Sequence, residues 1–377
     1  MTNNDELKLF TPVCIGAVQL KHRVVMAPLT RSRSVQPGNI PGDLMLDYYT
    51  QRASDGGLII SEGTSISISG SGWYGAPGMY SDQQIAGWKK ITDAVHAKGA
   101  RIFSQLWHTG RSSHVSNTQG ATPVSASVNQ DYWLDADNTV SAPEGWVNPS
   151  PHRALETAEI AGIVEDYNEA AARAKAAGFD GVEVHGANGY LPDQFLQDGS
   201  NHRTDAYGGS IENRSRFLVE IVEALVSVWG GNRVAVRIGP SGSWNGMSDS
   251  NPEALFSYLA GQLNQFDLAY LHIIEPRVKG NVVIAEGQAP VAAQLLRKIF
   301  RGTIIAAGGF EPDTAEAVVE KGDADMVAFG RHFVANPDLP MRIRLGLPLS
   351  RHDRTTFYTF DSRGYTDYPF YNAAVLA

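Results

Sequence analysis

Residues 181–190 have the sequence Gly-Val-Glu-Val-His-Gly-Ala-Asn-Gly-Tyr. The two valines alternate with Glu183 and His185, which is the period-two pattern of a β-strand with two different faces. Glycine and asparagine then end this pattern and indicate a turn. The stretch therefore predicts a strand with a histidine at its carboxyl end, followed by a loop that contains Asn188 and Tyr190. A capped strand end with a surface tyrosine has the same composition, so this stretch alone leaves a purely structural role open.

Short apolar runs alternate with longer amphipathic stretches on both sides of this segment. The apolar runs predict eight strands, at residues 23–26, 57–62, 101–106, 181–185, 233–238, 270–274, 303–307 and 326–329. The amphipathic stretches predict a helix after each strand, at residues 44–52, 85–96, 156–177, 216–228, 252–266, 290–300, 312–321 and 339–345. Eight consecutive units without a domain break favour a closed (β/α)8 TIM barrel of the α/β class over a doubly wound open sheet. Active sites of such barrels lie at the carboxyl ends of the strands.

Two regions lie outside this alternation. Residues 107–155, after the third strand, are rich in Ser, Asn, Pro and Trp and have no clear period. We predict that they form an inserted subdomain or lid over the barrel mouth. Residues 348–377 are rich in Phe and Tyr, which disordered tails lack, so this C-terminal tail is expected to pack. We therefore expect one barrel domain over residues 1–377, with residues 107–155 as its insertion.

Composition restricts the classes of partner and the cellular compartment that we expect for this protein. The chain has 377 residues, a net charge of −9 and one cysteine, Cys14. The acidic balance argues against a nucleic-acid or anionic-membrane partner. A single cysteine excludes a disulfide within the chain and a cysteine-based metal site, which favours a reducing compartment. The polar start is unlike a signal peptide, and no apolar run has the length of a membrane span. A cytoplasmic protein without metal is therefore expected.

Small residues follow the last two predicted strands. Residues 307–310 are Ala-Gly-Gly-Phe, and Gly330 is followed by Arg331. In TIM barrels the loops after strands seven and eight often bind phosphate through backbone N–H groups, and glycine allows the close approach. An arginine adds a fixed charge that suits phosphate oxygens. The alternative is a pair of tight turns beside a solvated arginine.

Three further polar residues, Thr30, Gln105 and Arg237, fall at or near other strand ends. Arg237 lies between two apolar residues, so the alternation points its charge to one face of the strand, where a charge needs a partner or a ligand. A structural ion pair with Glu183 is one explanation. Together with the phosphate loops, these residues suit a planar heterocycle with a phosphate tail, and flavin mononucleotide (FMN) has this form.

Several longer motifs along the chain can be compared with those of known families. They are Leu-Phe-Thr-Pro at 9–12, Met-Ala-Pro-Leu-Thr-Arg at 26–31, Gln-Leu-Trp-His-Thr-Gly-Arg at 105–111, His-Gly-Ala-Asn-Gly-Tyr-Leu at 185–191, Asn-His-Arg-Thr-Asp-Ala-Tyr-Gly-Gly-Ser at 201–210, Ala-Phe-Gly-Arg at 328–331 with Asn-Pro at 336–337, and Gly-Tyr-Thr-Asp-Tyr-Pro at 364–369. With these motifs the chain resembles the Old Yellow Enzyme family of FMN-dependent ene-reductases along nearly its whole length. It looks most similar to the branch that contains pentaerythritol tetranitrate reductase and N-ethylmaleimide reductase.

The resemblance implies a role for each candidate site residue. Non-covalently bound FMN would be held by Pro28, Leu29, Thr30, Gly63, Gln105 and Arg237, and its phosphate by Gly308, Gly309, Gly330 and Arg331. His185 and Asn188 would donate hydrogen bonds to the substrate, and Tyr190 would give the proton. Trp73, Trp107 and Tyr358 would shape the substrate pocket. Asn188 stands where this branch often has histidine, and Trp73 where close relatives have tyrosine, so both affect the expected substrate range.

The implied reaction is of the ping-pong type. NADPH or NADH would reduce the flavin and leave, and an α,β-unsaturated carbonyl compound, maleimide or nitroalkene would then be reduced. Nitrate esters and nitroaromatics are further candidates, as in the reduction of xenobiotics. The protein is expected to be a monomer or a homodimer. Two alternatives are a non-redox phosphate-binding barrel enzyme of the aldolase or isomerase type and a flavin-binding protein without turnover.

Overall fold

The computed structural model describes residues 7–276, 278–279, 282–283 and 292–372. Eight parallel strands form its centre. They are β1 (Val24–Met26), β2 (Leu58–Ile60), β3 (Arg101–Trp107), β4 (Gly181–Gly186), β5 (Val234–Ile238), β6 (Tyr270–Ile274), β7 (Ile304–Ala307) and β8 (Met326–Phe329). Each strand pairs with the next in the chain, and β8 pairs with β1. The sheet therefore closes into the predicted (β/α)8 barrel.

One or more helices follow each strand along the chain. They are α1 (Asp43–Arg52), α2 (Asp82–Ala97), α3 (Gln130–Leu134), α4 (Thr157–Ala176), α5 (Leu191–Leu196), α6 (Ile211–Trp229), α7 (Pro252–Leu263), α8 (Ala293–Leu296), α9 (Pro312–Lys321), α10 (Arg331–Ala335) and α11 (Leu339–Leu345). The eight predicted helices are present, but α8 is shorter than the predicted 290–300, and residues 290–291 lie outside the described part. None of the helices in the described residues combines the length and the apolar character that a membrane span requires.

The inside of the barrel is filled in two layers. Apolar side chains that point inward from the strands form the lower layer, in which Phe103 and Tyr270 contact each other with ring centroids 5.5 Å apart. An antiparallel hairpin of Val13–Ile15 and Val18–Leu20 packs against this layer and closes the amino-terminal end. The sequence prediction missed this hairpin. The upper layer, toward the carboxyl ends of the strands, is polar.

The region after β3 contains α3 and two small pairs of strands. Val140–Ala142 and Gly145–Val147 form an antiparallel hairpin, and Val124–Ser125 pairs in parallel with Arg153–Ala154. The half-exposed Trp146 of the hairpin contacts Trp73 and Tyr358, with ring centroids 5.2 and 5.4 Å away. The insertion therefore reaches the rim of the barrel mouth.

Residues 348–372 of the C-terminal tail pack, as the sequence predicts, and residues 373–377 lie outside the described part. Phe357 and Tyr365 are buried, and Tyr365 stacks on Tyr48 of α1 with ring centroids 4.0 Å apart. Arg31 donates to the carbonyl oxygens of Phe357 and Gly364 and lies over the Tyr48 ring. These contacts bring the tail across the loop that follows β1, beside the barrel mouth.

Candidate active site

A cavity of about 370 Å³ opens at the carboxyl ends of the barrel strands. It receives residues from the ends of β1, β3, β4, β5, β7 and β8, because closure brings all these ends to one face. The predicted site residues that line it are Pro28, Leu29, Thr30, Trp73, Gln105, His185, Asn188, Tyr190, Arg237, Gly308, Gly309, Gly330, Arg331 and Tyr358. The structure therefore brings together residues that are up to about three hundred positions apart in the sequence.

Two predicted residues, Gly63 and Trp107, lie behind the cavity wall. The Trp107 ring meets Tyr190 edge-on, with centroids 4.9 Å apart, and is nearly parallel to His185 at 6.3 Å. A Cβ atom at Gly63 would lie 2.5 Å from the Trp107 indole, so glycine leaves the space that the indole fills. Trp107 thus supports His185 and Tyr190 from behind, and the role of both residues toward a ligand stays a prediction.

A buried polar layer forms the floor of the cavity. The Gln105 side chain donates from Nε2 to Oε1 of Glu183 at 2.7 Å, and His272 donates from Nδ1 to Oε2 of Glu183 at 2.9 Å. The strand register places Glu183 beside Gln105, and Arg237 between His185 and His272. Glu183 therefore pairs with His272, and the ion pair with Arg237 that the sequence suggested is absent from the described contacts.

Burial and neighbouring charges decide the protonation of this layer. Burial, with Arg237 and His272, lowers the pKa of His185 well below its usual value, so its imidazole is neutral at neutral pH. Burial also lowers the pKa of His272, because it outweighs the attraction of Glu183. Burial raises the pKa of Glu183, but His272, Arg237 and Gln105 together hold it below its usual value. The layer therefore contains one arginine cation, one carboxylate and two neutral imidazoles.

The loop after β4 has an unusual backbone that aims Asn188 at the cavity. Asn188 has φ 60° and Gly189 has φ 71°, both in the left-handed region, which non-glycine residues seldom adopt. Asn245 donates from Nδ2 to the Asn188 carbonyl at 2.8 Å, and Asp193 accepts from the Gly189 N–H at 2.8 Å. Asn245 also accepts from the Tyr132 hydroxyl of α3 at 3.2 Å. The insertion and the loop after β5 thus hold this turn in place.

Tyr190 lies between His185 and Trp107 at the end of the same loop. Its ring meets His185 edge-on with centroids 4.8 Å apart, and its side chain lines the cavity. Burial is the main reason that the pKa of Tyr190 lies above its usual value, so its phenol is protonated at neutral pH. A neutral imidazole, an amide and a protonated phenol therefore face one part of the cavity.

The other end of the cavity is suited to an anion. Gly308 and Gly309 have φ 110° and 69°, which favours glycine. Within the described residues, the backbone N–H groups of Gly308, Gly309 and Gly330 have no hydrogen-bond acceptor. A Cβ atom at Gly330 would lie 3.2 Å from the Leu29 side chain, so a larger residue would crowd this end. Arg331 adds its charge to the same wall.

Several cavity residues were not predicted from the sequence. Trp244, His332, His352 and Phe357 also line the wall. Trp244 follows β5 and His332 follows Arg331, so strand-end position could have identified both. His352 and Phe357 belong to the tail, and no periodicity shows where a tail without regular structure will pack.

The donor set fits FMN. The unbonded N–H groups and Arg331 suit a phosphate, while Arg237 and the amide of Gln105 suit the edge of a pyrimidine ring. The buried Nε of Arg237 has no partner among the described residues, which indicates a group made to serve a ligand. No lysine is among the described residues that line the cavity, so a Schiff-base aldolase mechanism has no candidate nucleophile here.

Comparisons with known proteins show the family to which the chain belongs. A family model described as the NADH:flavin oxidoreductase / NADH oxidase family matches residues 8–350. The chain is 48% identical over 369 residues to 12-oxophytodienoate reductase 1 of Oryza sativa subsp. japonica. This alignment covers 97% of this chain and 93% of the rice protein. It is similar to the structure of morphinone reductase in complex with tetrahydroNAD, with a TM-score of 0.89, 49% identity and coverage of 97% and 98%. The old yellow enzyme homologue from Zymomonas mobilis gives a TM-score of 0.89 and 41% identity, with coverage of 96% and 99%.

Proposed function

The chain belongs to the NADH:flavin oxidoreductase / NADH oxidase family, the Old Yellow Enzyme family, and from that membership we propose that it is an NAD(P)H-dependent ene-reductase. As a family member it is an FMN-dependent oxidoreductase. The proposed substrates are α,β-unsaturated carbonyl compounds, maleimides and nitroalkenes, with nitrate esters and nitroaromatics as further candidates. The narrower placement beside pentaerythritol tetranitrate reductase and N-ethylmaleimide reductase stays a prediction.

One observation carries this proposal: a single cavity combines an anion-binding end with a hydrogen-bond donor pair and a protonated phenol. Pro28, Leu29, Thr30, Gln105 and Arg237 would hold the flavin ring, and Gly308, Gly309, Gly330 and Arg331 its phosphate. When bound, FMN supplies the hydride chemistry that no side chain can provide. The side chains bind, orient and protonate the substrate.

His185 and Asn188 would polarise the substrate. The imidazole of His185 is neutral and therefore carries one N–H group, and the amide of Asn188 carries two. Both would donate to the carbonyl or nitro oxygen and stabilise the negative charge that develops there, as donors in an oxyanion hole do. Because their surroundings are preorganised, this stabilisation requires little rearrangement during the reaction.

Tyr190 would donate the proton to the α carbon. The burial that raises its pKa keeps the phenol protonated until an enolate-like carbon forms beside it. Trp107 and His185, which contact the Tyr190 ring edge-on, restrict the directions in which the hydroxyl can point. Trp73 and Tyr358 would close the cavity above the substrate and exclude water.

The reduced nicotinamide and the alkene would use the cavity in turn, which is the ping-pong scheme. Binding of a nicotinamide analogue by the similar morphinone reductase supports this use of the cavity. We further propose that residues 107–155 act as a lid over a single barrel domain, since Trp146 reaches the rim. A monomeric or homodimeric state and a cytoplasmic location stay predictions from the sequence.

The test is a visible spectrum recorded without oxygen. We expect the purified protein with FMN to be yellow, to bleach when NADPH or NADH is added, and to regain its colour when 2-cyclohexenone follows. Bleaching without return of the colour would contradict reduction of enones. A protein that stays colourless after FMN is supplied would contradict the flavin assignment.

Replacement of Tyr190 by phenylalanine tests the proton donor. We expect reduction of the flavin by the nicotinamide to stay unchanged, while reduction of 2-cyclohexenone slows by a factor of about 10² or more. Unchanged rates in both half-reactions would show that Tyr190 does not give the proton.

A further inference from the structure

We propose that Glu183 is a positioning residue for the flavin site: it orients the amide of Gln105 and offsets the charge of Arg237. The inference rests on FMN occupying the cavity, as proposed above. Glu183 itself is fully buried beneath the cavity, on the inner face of β4. Its partner His272 lies on β6.

Glu183 fixes the orientation of the Gln105 side-chain amide. A carboxylate only accepts hydrogen bonds, so the 2.7 Å contact commits Nε2 of Gln105 to Glu183. The Oε1 atom of Gln105 is then left for the cavity that this residue lines. It therefore offers an acceptor to a ligand, and the pyrimidine edge of a flavin carries an N–H group. Without Glu183 the amide could turn and lose this preference.

Glu183 also supplies negative charge to the polar layer. His272 contacts the other carboxylate oxygen at 2.9 Å and stays neutral because it is buried. Glu183 is therefore the negative charge that balances Arg237 within the polar layer. Charges close to the flavin ring change the relative stability of its oxidised and reduced forms. Because reduction adds electrons, an unbalanced arginine would favour the reduced form more strongly than the balanced pair does.

The variant Glu183→Gln separates charge from shape. Its amide oxygen can accept from Gln105, and its NH₂ group can donate to His272 if that ring carries its proton on Nε2. In this tautomer the buried Nε2–H group of His272 has no acceptor among the described residues, so the change leaves one N–H group unpaired. The variant can therefore keep both hydrogen bonds and the shape of the side chain, and its main change is the loss of the negative charge.

The measurement is the reduction potential of bound FMN, determined without oxygen against a reference dye. In Glu183→Gln we expect the ratio of the affinity for reduced FMN to the affinity for oxidised FMN to be about tenfold higher than in the unchanged protein. For a two-electron couple this is an upward shift of about 30 mV. The control His272→Gln keeps a neutral donor and the carboxylate, so its potential should stay near that of the unchanged protein.

The variant Glu183→Asp tests the orientation of Gln105, because it keeps the charge but shortens the side chain. We expect it to bind oxidised FMN about tenfold more weakly, with little change in potential. An unchanged potential in Glu183→Gln, or unchanged affinity in Glu183→Asp, would overturn the corresponding part of the inference. If the unchanged protein binds no FMN, the flavin site fails instead, so the two failures are distinguishable.

Discussion

Replacement of Arg33 by lysine should release the C-terminal tail from the barrel mouth. The buried guanidinium donates from Nη1 to the carbonyl oxygen of Phe357 at 2.6 Å and from Nη2 to that of Thr356 at 3.0 Å. Its other acceptors are the carbonyl oxygens of Arg31, Asp361 and Arg363 and the hydroxyl of Thr359. One side chain thus gathers the tail segment that places Tyr358 in the cavity wall.

The magnitude follows from the number of donors. The six acceptors of Arg33 face five N–H groups in a planar fork, whereas a lysine ammonium has three N–H groups on one nitrogen. Lysine would leave about three of the acceptors unpaired, and each lost bond costs about 1 kcal/mol. The tail should therefore open about 3 kcal/mol more easily, which is a factor of roughly a hundred in the open population.

Limited proteolysis measures that population, because cleavage of a transiently open segment follows its opening equilibrium. Trypsin can cut after the exposed Arg363 in the tail. We expect the rate of tail cleavage to rise roughly a hundredfold in Arg33→Lys, with little change in the control Arg153→Lys, whose side chain is half exposed and pairs with Glu159. Equal cleavage rates for the two variants would refute this account of how the tail is held.

Two further predictions concern acid stability and the substrate loop. Burial, and to a smaller extent the charge of Arg344, lowers the pKa of His22 to about 4 in the folded protein. In the unfolded chain this pKa is about 6.5. The neutral His22 ring therefore contributes its full stability above pH 6.5, and this contribution is lost as the pH falls toward 4. The free energy of unfolding, measured with urea, should fall by about 2 kcal/mol less between pH 7.5 and pH 4.5 in His22→Gln than in the unchanged protein. An equal fall in both proteins would contradict the lowered pKa of His22. Asn245→Gly removes the hydrogen bond to the Asn188 carbonyl without straining φ 58°, so kcat/KM for 2-cyclohexenone should fall about tenfold at unchanged FMN content. An unchanged kcat/KM would show that Asn188 keeps its orientation without this contact.

The sequence predicted the strands well because most of them are short apolar runs, as strands buried on both faces of a parallel barrel are. It missed the hairpin at Val13–Ile15 and Val18–Leu20, although a glycine at position 16 between two short period-two runs was a usable signal. The helix at 290–300 was predicted too long at its carboxyl end, since α8 ends at Leu296. Three-residue strands and one-turn helices depend on packing partners more than on local preference, which explains both differences.

The residues of the candidate site that lie at strand ends could be identified from the sequence. Closed barrels bring all carboxyl ends to one face, so Gln105, His185 and Arg237 could be assigned to one site from their positions alone. Gly63 and Trp107 lie behind the wall, because whether a residue near a strand end lines a cavity depends on which side chains pack around it.

The sequence by itself determined the barrel, the strand-end residues and the glycine loops, because each follows from local alternation and from the closure of the sheet. Only the tertiary structure decided that Glu183 pairs with His272, since their contact spans two strand pairings and depends on how the sheet is staggered when it closes. It also decided that Asn245 supports Asn188 and that Arg33 holds the tail. These contacts join segments that are distant in the chain, and no local pattern of residues specifies which distant groups will meet.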